Sequence, residues 1–186
     1  TAEELFTFFP ADDNELIEIW GGIMWSVYFL IMRDTGWRPA EVSGLKKSNY
    51  YPNLNGIYTE CEVVGGVEKQ RIKTTGKGKD YKVGLLTERT EKLLNLLISI
   101  VKSDYLFITT EGNFVQPDAA NKHLRAVTNK VGIDLKGRTQ YGFRHSFETM
   151  MVGNIHSKAL LELMAHTSFR PEYDHRTPEM ILKQLE

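Results

Sequence analysis

The spacing of apolar residues over positions 1–45 is typical of helices. The segment 1–4 carries a capping-box pattern for a short helix, which Pro10 ends. The segment 12–14 supplies N-cap side chains for a second helix that ends near 34–36. Its apolar positions between 16 and 31 are too dense for one stripe, so we expect burial on most sides. Pro39, a favoured first helical residue, predicts a third helix with Val42 and Leu45 facing inward.

Between residues 50 and 86 the periodicity changes to the alternation that is typical of strands. Strand-like residues at 58–64, 67–73 and 81–85 predict three short strands. Gly65-Gly66 and the glycine-containing stretch 76–79 suit the two turns between them. The simplest arrangement is a small antiparallel meander.

Helical spacing returns at Thr87. We expect helices at 87–101, 117–131 (with Gly132 as its stop), 139–152, 157–165 and 177–185. No internal repeat and no linker divides the chain. The sequence therefore predicts one domain over 1–186, mainly α with a small three-stranded antiparallel sheet (α+β).

Composition places the chain among ordinary globular proteins. It has 186 residues, 41% of them hydrophobic, which excludes a disordered or fibrous chain. The single cysteine, Cys61, cannot form an internal disulfide or a cysteine-based metal site, so a cytoplasmic setting is expected. The apolar run 19–32 is shorter than the roughly 18 residues of a spanning helix, so no membrane partner is expected. The first residue is Thr1, and we expect a fragment of a longer protein.

The net charge of −1 hides an uneven distribution. Residues 1–32 contain six acids and no Lys or Arg, whereas residues 33–145 carry 19 basic against 12 acidic residues. The middle of the chain could face a polyanion, although a well-solvated surface explains the same numbers equally well. Charge therefore permits nucleic acid as a partner without requiring it.

Two arginines stand where they could bind an anion. Arg38 lies at a helix entry, and Arg144 lies in an otherwise apolar stretch, with Tyr141 and His145 at helical spacing around it. Two guanidiniums could clamp a phosphate. Charge and spacing alone favour the simpler alternative, in which Arg38 pairs with Glu41 and Arg144 with Glu148 within their helices. The five histidines lack metal-ligand spacing, so we expect no metal site.

Several motifs occur together in one order: "TAEEL" at 1–5, "TGWRPAEVSGL" at 35–45, "IKTTGKGKDYKVGLL" at 72–86, "YGFRHSFETMM" at 141–151, "LMAHTS" at 163–168 and "YDH" at 173–175. In this order the chain resembles the catalytic domain of the tyrosine recombinases, the phage integrase family of site-specific DNA recombinases. The resemblance extends over nearly the whole chain. It implies a protein that cleaves and rejoins DNA strands through a 3′-phosphotyrosyl intermediate, without a metal or other cofactor.

The resemblance also assigns roles to residues. Arg38 and Arg144 match the two catalytic arginines, with Glu41 as the usual structural neighbour of the first. Tyr173 matches the nucleophile, and His166 matches the His or Trp that precedes it. The general acid is Lys73 or Lys77, and Lys73 is favoured. The remaining basic residues of the hairpin region are expected to touch DNA phosphates: Lys69, Arg71, Lys79 and Lys82.

The sequence departs from the family pattern at two places. Tyr141 stands where the family usually has the first His of its His-x-x-Arg motif, and a phenol is a poor general base at neutral pH. Tyr173 follows His166 by seven residues, two fewer than expected, with Pro171 between them. These departures motivate a cleavage-defective DNA-binding module of the same fold as one alternative; a type IB topoisomerase-like relaxase is a second.

The expected partners also follow from the resemblance. They are double-stranded DNA and three further copies of the chain, in a tetramer that forms on DNA, with a monomer expected without it. The tail at 177–186 resembles a helix that packs onto a neighbouring subunit, although packing on its own domain is equally compatible with its apolar face. The family normally places a further DNA-binding domain before this one, so we expect weak DNA affinity from this chain alone.

Overall fold

The computed structural model describes residues 2–70, 81–151 and 179. Within this part of the chain there are seven α-helices: α1 (Ala2–Phe8), α2 (Asp13–Ile19), α3 (Ile23–Thr35), α4 (Pro39–Ser43), α5 (Glu88–Ile100), α6 (Pro117–Val131) and α7 (Tyr141–Met151). Five short strands lie between α4 and α5: β1 (Tyr50–Tyr51), β2 (Gly56–Thr59), β3 (Glu62–Val64), β4 (Val67–Lys69) and β5 (Lys82–Leu85). The predicted class, mainly α with a three-stranded antiparallel sheet, is confirmed.

The prediction of one continuous helix from 12–14 to 34–36 is wrong. The chain breaks after α2, because Gly21 and Gly22 adopt positive φ angles of 69° and 139° that side chains disfavour. The two helix axes differ by 101°, and no single helix in the described residues is long and apolar enough to cross a membrane. The bend places α3 in the centre of the core, where Val27 to Met32 are fully buried as predicted.

The three-stranded sheet has a different membership from the predicted meander. Its order is β1-β2-β5, whereas β3 and β4 form a separate hairpin around the predicted Gly65-Gly66 turn. Between β2 and β3 the chain turns towards α4, where the Cys61 thiol donates to the carbonyl oxygen of Gly44 at 3.2 Å. A Cβ at Gly44 would lie 2.8 Å from that sulfur, so the close approach requires glycine there. The predicted strand residues 71–73 lie outside the described part of the chain.

The later helices follow the sequence prediction closely. Thr87 caps α5, α6 spans the predicted residues, and Gly132 ends it in the left-handed conformation. Helix α7 begins two residues later than predicted, because residues 139–140 form a turn in which the Gly142 N–H donates to the Thr139 carbonyl. The helices predicted at 157–165 and 177–185 lie outside the described residues.

An aromatic cluster joins the N-terminal helices to α3 and α7. Trp20 stacks on Phe29 with ring centroids 4.1 Å apart, and Phe143 of α7 lies 5.7 Å from both Phe9 and Phe29. Burial of each such ring stabilises the fold by roughly 1.5–3 kcal/mol. Packing of α7 on α3 also sets the position of the residues that α7 carries next to the end of α3.

Candidate functional site

The site begins at the C-terminal end of α3, where the chain must reverse within a small space. Gly36 ends the helix in the left-handed conformation, with φ of 63°, and its N–H donates to the Met32 carbonyl. A Cβ here would lie 2.6 Å from Cδ1 of Phe147 on α7, so only glycine fits. Trp37 is then fully buried, and Arg38 follows it at the N-cap position of α4.

Glu41 fixes the backbone of Arg38 and pairs with its side chain. Its Oε2 accepts the Arg38 N–H at 2.8 Å, which caps the N-terminus of α4. Its Oε1 lies 3.5 Å from Arg38 Nη1. The Glu41 side chain is fully buried, whereas the Arg38 side chain is 29% exposed. The guanidinium is therefore anchored from within and accessible from outside.

Arg144 reaches the same place from α7. Its Nη1 donates to the Gly36 carbonyl oxygen at 2.9 Å, and its Nε lies 3.6 Å from Oε1 of Glu148. Burial lowers the pKa of Arg144, and repulsion from the positive charge of Arg38 lowers it further. The buried Arg144 guanidinium therefore lies close enough to Arg38 for the two positive charges to repel, and a bound anion would be favourable beside them.

The two interpretations of the arginines, as a phosphate site and as ion pairs within their helices, are therefore compatible. The ion pairs that spacing predicts, Arg38 with Glu41 and Arg144 with Glu148, are both present, at 3.5 Å and 3.6 Å. Spacing within a helix could not show that Arg144 also binds the backbone two residues before Arg38. The arginines form their local ion pairs, and Arg144 also lies beside the turn that leads to Arg38.

Lys82 corrects the predicted set of DNA contacts. Its Nζ donates to Oε1 of Glu41 at 2.6 Å, and both side chains are fully buried, so Lys82 cannot lie against a DNA phosphate. Burial lowers the pKa of Lys82; the carboxylate of Glu41 opposes this shift, and Arg144 and Arg38 add to it. Strand alternation could not show this, because it places Lys82 on the face opposite the apolar Val83, whereas β5 is buried on both faces and its Lys82 and Gly84 side packs on α3 and Trp37.

Tyr141 and Lys69 lie where a large ligand could reach them. Tyr141 is the first residue of α7, one turn before Arg144, and is 46% exposed. Lys69 ends β4 and is exposed. Its DNA contact stays a prediction.

The remaining predicted residues lie outside the described part of the chain: Lys73, Lys77, His166, Tyr173, Arg71 and Lys79. The described half of the site has three cations (Arg38, Arg144 and Lys82) around two carboxylates (Glu41 and Glu148). Among the described residues no group of three or more His, Cys, Asp or Glu side chains could hold a metal ion.

This fold is that of the tyrosine recombinase catalytic domains. The sequence matches the phage integrase family over residues 1–171, so the chain belongs to that family. No match exists among curated protein sequences.

Solved structures share the fold at low sequence identity. The Tn1549 transposon integrase, in complex with a circular intermediate DNA, superposes with a TM-score of 0.69 at 17% identity, over 98% of this chain and 62% of its own. The XerA recombinase gives a TM-score of 0.65 at 20% identity, over 92% of this chain and 59% of its own. The XerH site-specific recombinase, bound to its difH substrate, gives a TM-score of 0.58 at 23% identity, over 89% of this chain and 46% of its own. The chain thus spans less than two thirds of the length of these proteins.

Proposed function

We propose that this chain is the catalytic domain of a site-specific DNA recombinase or integrase that cleaves and rejoins DNA strands through a 3′-phosphotyrosyl intermediate. The observation that carries the proposal is the convergence of Arg38 and Arg144 beside the Gly36 turn. Membership of the phage integrase family over residues 1–171 supports it.

The arginines stabilise the phosphate while its charge increases. Each guanidinium presents a planar set of donors to the non-bridging oxygens of the scissile phosphodiester. Because Arg144 is buried and Arg38 is anchored by a buried carboxylate, both are held in place before DNA binds. A pre-positioned donor at a developing negative charge typically contributes about 100- to 1000-fold in rate. His166 and the hydroxyl of Tyr141 add further hydrogen bonds in this proposal.

Tyr173 supplies the nucleophile. Its phenolic oxygen gives up its proton to solvent water and forms a bond to phosphorus as the bond from phosphorus to the 5′-oxygen breaks, which leaves the 3′-phosphate on the protein. The hairpin lysine, Lys73 or Lys77, gives a proton to the departing 5′-oxygen. A 5′-hydroxyl of a second strand then attacks the phosphotyrosyl bond, and the tyrosine regains its proton. The phosphodiester count is unchanged and no metal takes part.

A second candidate is a DNA-binding module that has lost cleavage. The observation that favours it is Tyr141, which stands at the start of α7 one turn before Arg144, where the family usually has histidine. The shortened spacing between His166 and Tyr173 points the same way. Both candidates bind DNA, so only strand cleavage separates them.

The partners in this proposal are double-stranded DNA in the cytoplasm and, on DNA, three further copies of the chain. Residues 1–186 act as a single catalytic domain of a longer protein. The tail at 177–186 packs on a neighbouring copy, for which the groove of about 660 Å³ between α1, α6 and α7, with Leu5, Phe8, Leu124 and Phe143 in its lining, offers an apolar surface. Deletion of 177–186 should leave only monomers on DNA in light scattering; tetramers that persist would contradict the tail's role.

The test is covalent trapping on DNA. A pool of nicked duplexes with randomised arms is incubated with the chain, and protein-linked DNA is isolated on a denaturing gel and amplified over several rounds. The wild-type protein should yield a covalent band that Tyr173→Phe lacks. Tyr58→Phe is the matched control, since the Tyr58 ring packs on Tyr51 in the sheet and should leave the band intact.

Three other results of the trapping experiment would each change the proposal. No band with retained DNA binding would replace the proposal by the binding module. A band that survives in Tyr173→Phe would show that Tyr173 is not the nucleophile. Relaxation of any supercoiled plasmid, without enrichment of a sequence from the pool, would favour a topoisomerase-like relaxase.

A further inference from the structure

A buried ion pair joins the sheet to the helix that carries the first arginine. Lys82 starts β5 and Glu41 lies in α4, and Nζ and Oε1 are 2.6 Å apart with both side chains fully buried. Taking two charges out of water is costly, so such a pair persists only where each charge has good partners. Glu41 meets this condition because it also accepts from the backbone N–H of Arg38.

The sheet holds Glu41 by its backbone as well. Thr59 of β2 lies opposite Lys82 in the antiparallel register. Its hydroxyl lies 3.4 Å from the Glu41 carbonyl oxygen and 3.0 Å from the Cys61 carbonyl oxygen. One pair of opposed strand residues therefore contacts both the carbonyl and the carboxylate of Glu41, which fixes α4 relative to β2 and β5.

The two carboxylate oxygens of Glu41 have different partners. Oε2 accepts from the Arg38 backbone, whereas Oε1 faces both Lys82 Nζ, at 2.6 Å, and Arg38 Nη1, at 3.5 Å. Lys82 holds Oε1 more closely than Arg38 does. If its ammonium were removed, the buried carboxylate would have to take another cation, and the described residues offer the guanidinium of Arg38, already 3.5 Å away.

We propose that Lys82 is a positioning residue for DNA cleavage: by occupying Oε1 of Glu41 it keeps the Arg38 guanidinium directed outward, towards the phosphate. This inference rests on the proposed function. Lys82 does not itself serve as the general acid, since its Nζ is buried against Glu41.

The first arm of the test observes Arg38 without any reaction. The Nε–Hε signal of Arg38 is recorded by NMR in protein with ¹⁵N-labelled arginine and assigned by its loss in Arg38→Lys. Lys82→Met should shift this signal, and Lys82→Arg, which keeps the cation, should largely restore it. The matched control is Lys46→Met, which removes another Lys–Glu pair, to Glu68 at 3.0 Å, away from the arginines. It should leave the signal in place.

The second arm measures single-turnover cleavage on the duplex enriched above, with either oxygen or sulfur as the 5′ leaving atom. Lys82→Met should slow cleavage by about 100-fold on both substrates, because a misplaced donor costs about that much. Loss of a general acid would instead be rescued by sulfur, which leaves without a proton. Lys82→Arg should retain most of the rate, and Lys46→Met all of it.

A double variant covers the case in which Lys82→Met does not fold. Lys82→Met/Glu41→Gln removes both buried charges, and its cleavage rate should equal that of Glu41→Gln alone, since Lys82 acts through Glu41. An unmoved Arg38 signal, rescue by sulfur, or a double variant that cleaves well below the rate of Glu41→Gln alone would each overturn the inference. Absence of cleavage by the wild type would refute the proposed function instead, and the NMR arm would still test whether Lys82 positions Arg38.

Discussion

At the scale of single residues, the site depends on Glu41 and Gly36 as much as on the arginines. The sequence predicts the Arg38–Glu41 and Arg144–Glu148 pairs because partners three and four residues apart meet on a helix. It could not predict that Arg144 binds the Gly36 carbonyl or that Lys82 binds Glu41, since these contacts join residues 108 and 41 positions apart. Contacts of this kind depend on how elements pack, which local spacing does not encode.

Substitution of either arginine should reduce cleavage far more than DNA binding. Arg38→Lys and Arg144→Lys keep the charge but lose the planar set of donors, and each should slow single-turnover cleavage by about 100- to 1000-fold. Arg89→Lys is the control, because Arg89 pairs with Asp13 elsewhere in the fold. Equal cleavage by all three variants would refute the assignment of the phosphate site.

Gly36→Ala should destabilise the protein through two separate effects. The positive φ of 63° costs about 1–2 kcal/mol for a residue with a side chain. The clash with Phe147, 2.6 Å from the new Cβ, adds about 1–3 kcal/mol. Gly132→Ala isolates the first effect, since Gly132 has φ of 74° and nothing within 4 Å of an added Cβ. Urea unfolding should show a larger loss of unfolding free energy for Gly36→Ala than for Gly132→Ala. Equal losses would show that the clash with Phe147 relaxes at no cost.

At the scale of elements, the sequence predicts whether a segment is a helix or a strand better than it predicts which strands pair. Helices α5 and α6 are where capping residues and apolar periodicity place them. The break between α2 and α3 was missed because the apolar residues continue through Gly21 and Gly22, and backbone conformation rather than hydropathy ends α2 there. The sheet order was missed because alternation identifies a strand without naming its neighbour.

The contact between α2 and α5 predicts a dependence of stability on pH. The hydrogen bond from Lys92 lowers the pKa of Asp13 below its ordinary value of 3.8, and that from Arg89 adds to this effect. The stabilisation is therefore present above about pH 4 and is lost as pH falls through the lowered pKa of the folded state. Asp13→Asn should cost about 1 kcal/mol at pH 7 and progressively less in acid, as measured by urea unfolding. A cost that does not change with pH would show that the ion pairs contribute nothing.

At the scale of the whole molecule, ion pairs within the fold explain part of the uneven charge distribution along the chain. The acidic segment 1–32 supplies Glu4 and Asp13, which pair with Arg138, Arg89 and Lys92 of the basic middle. Part of the basic excess is therefore used within the fold, and Lys82 is used in the core. A count along the sequence cannot separate charges that hold the protein together from charges that meet a partner.

Salt dependence distinguishes the two kinds of charge. If Lys69 contacts one DNA phosphate, Lys69→Ala should lower the slope of log affinity against log salt concentration by about 0.9. Lys92→Ala should leave the slope unchanged, because Lys92 pairs with Asp13. Fluorescence anisotropy with a labelled duplex from 50 to 300 mM salt provides the measurement. Equal slopes for Lys69→Ala and the wild type would remove Lys69 from the DNA surface.

In the proposed reaction, Arg38 and Arg144 hold a DNA phosphate for attack by Tyr173. The most direct measurement is mass spectrometry of the covalent protein–DNA product after digestion with protease and nuclease. The nucleotide should be attached to Tyr173, in a peptide that contains residues 171–175, and the yield should fall by about 100-fold or more in Arg144→Lys. A nucleotide on Tyr141 or any other tyrosine, or a yield that does not depend on Arg144, would contradict it.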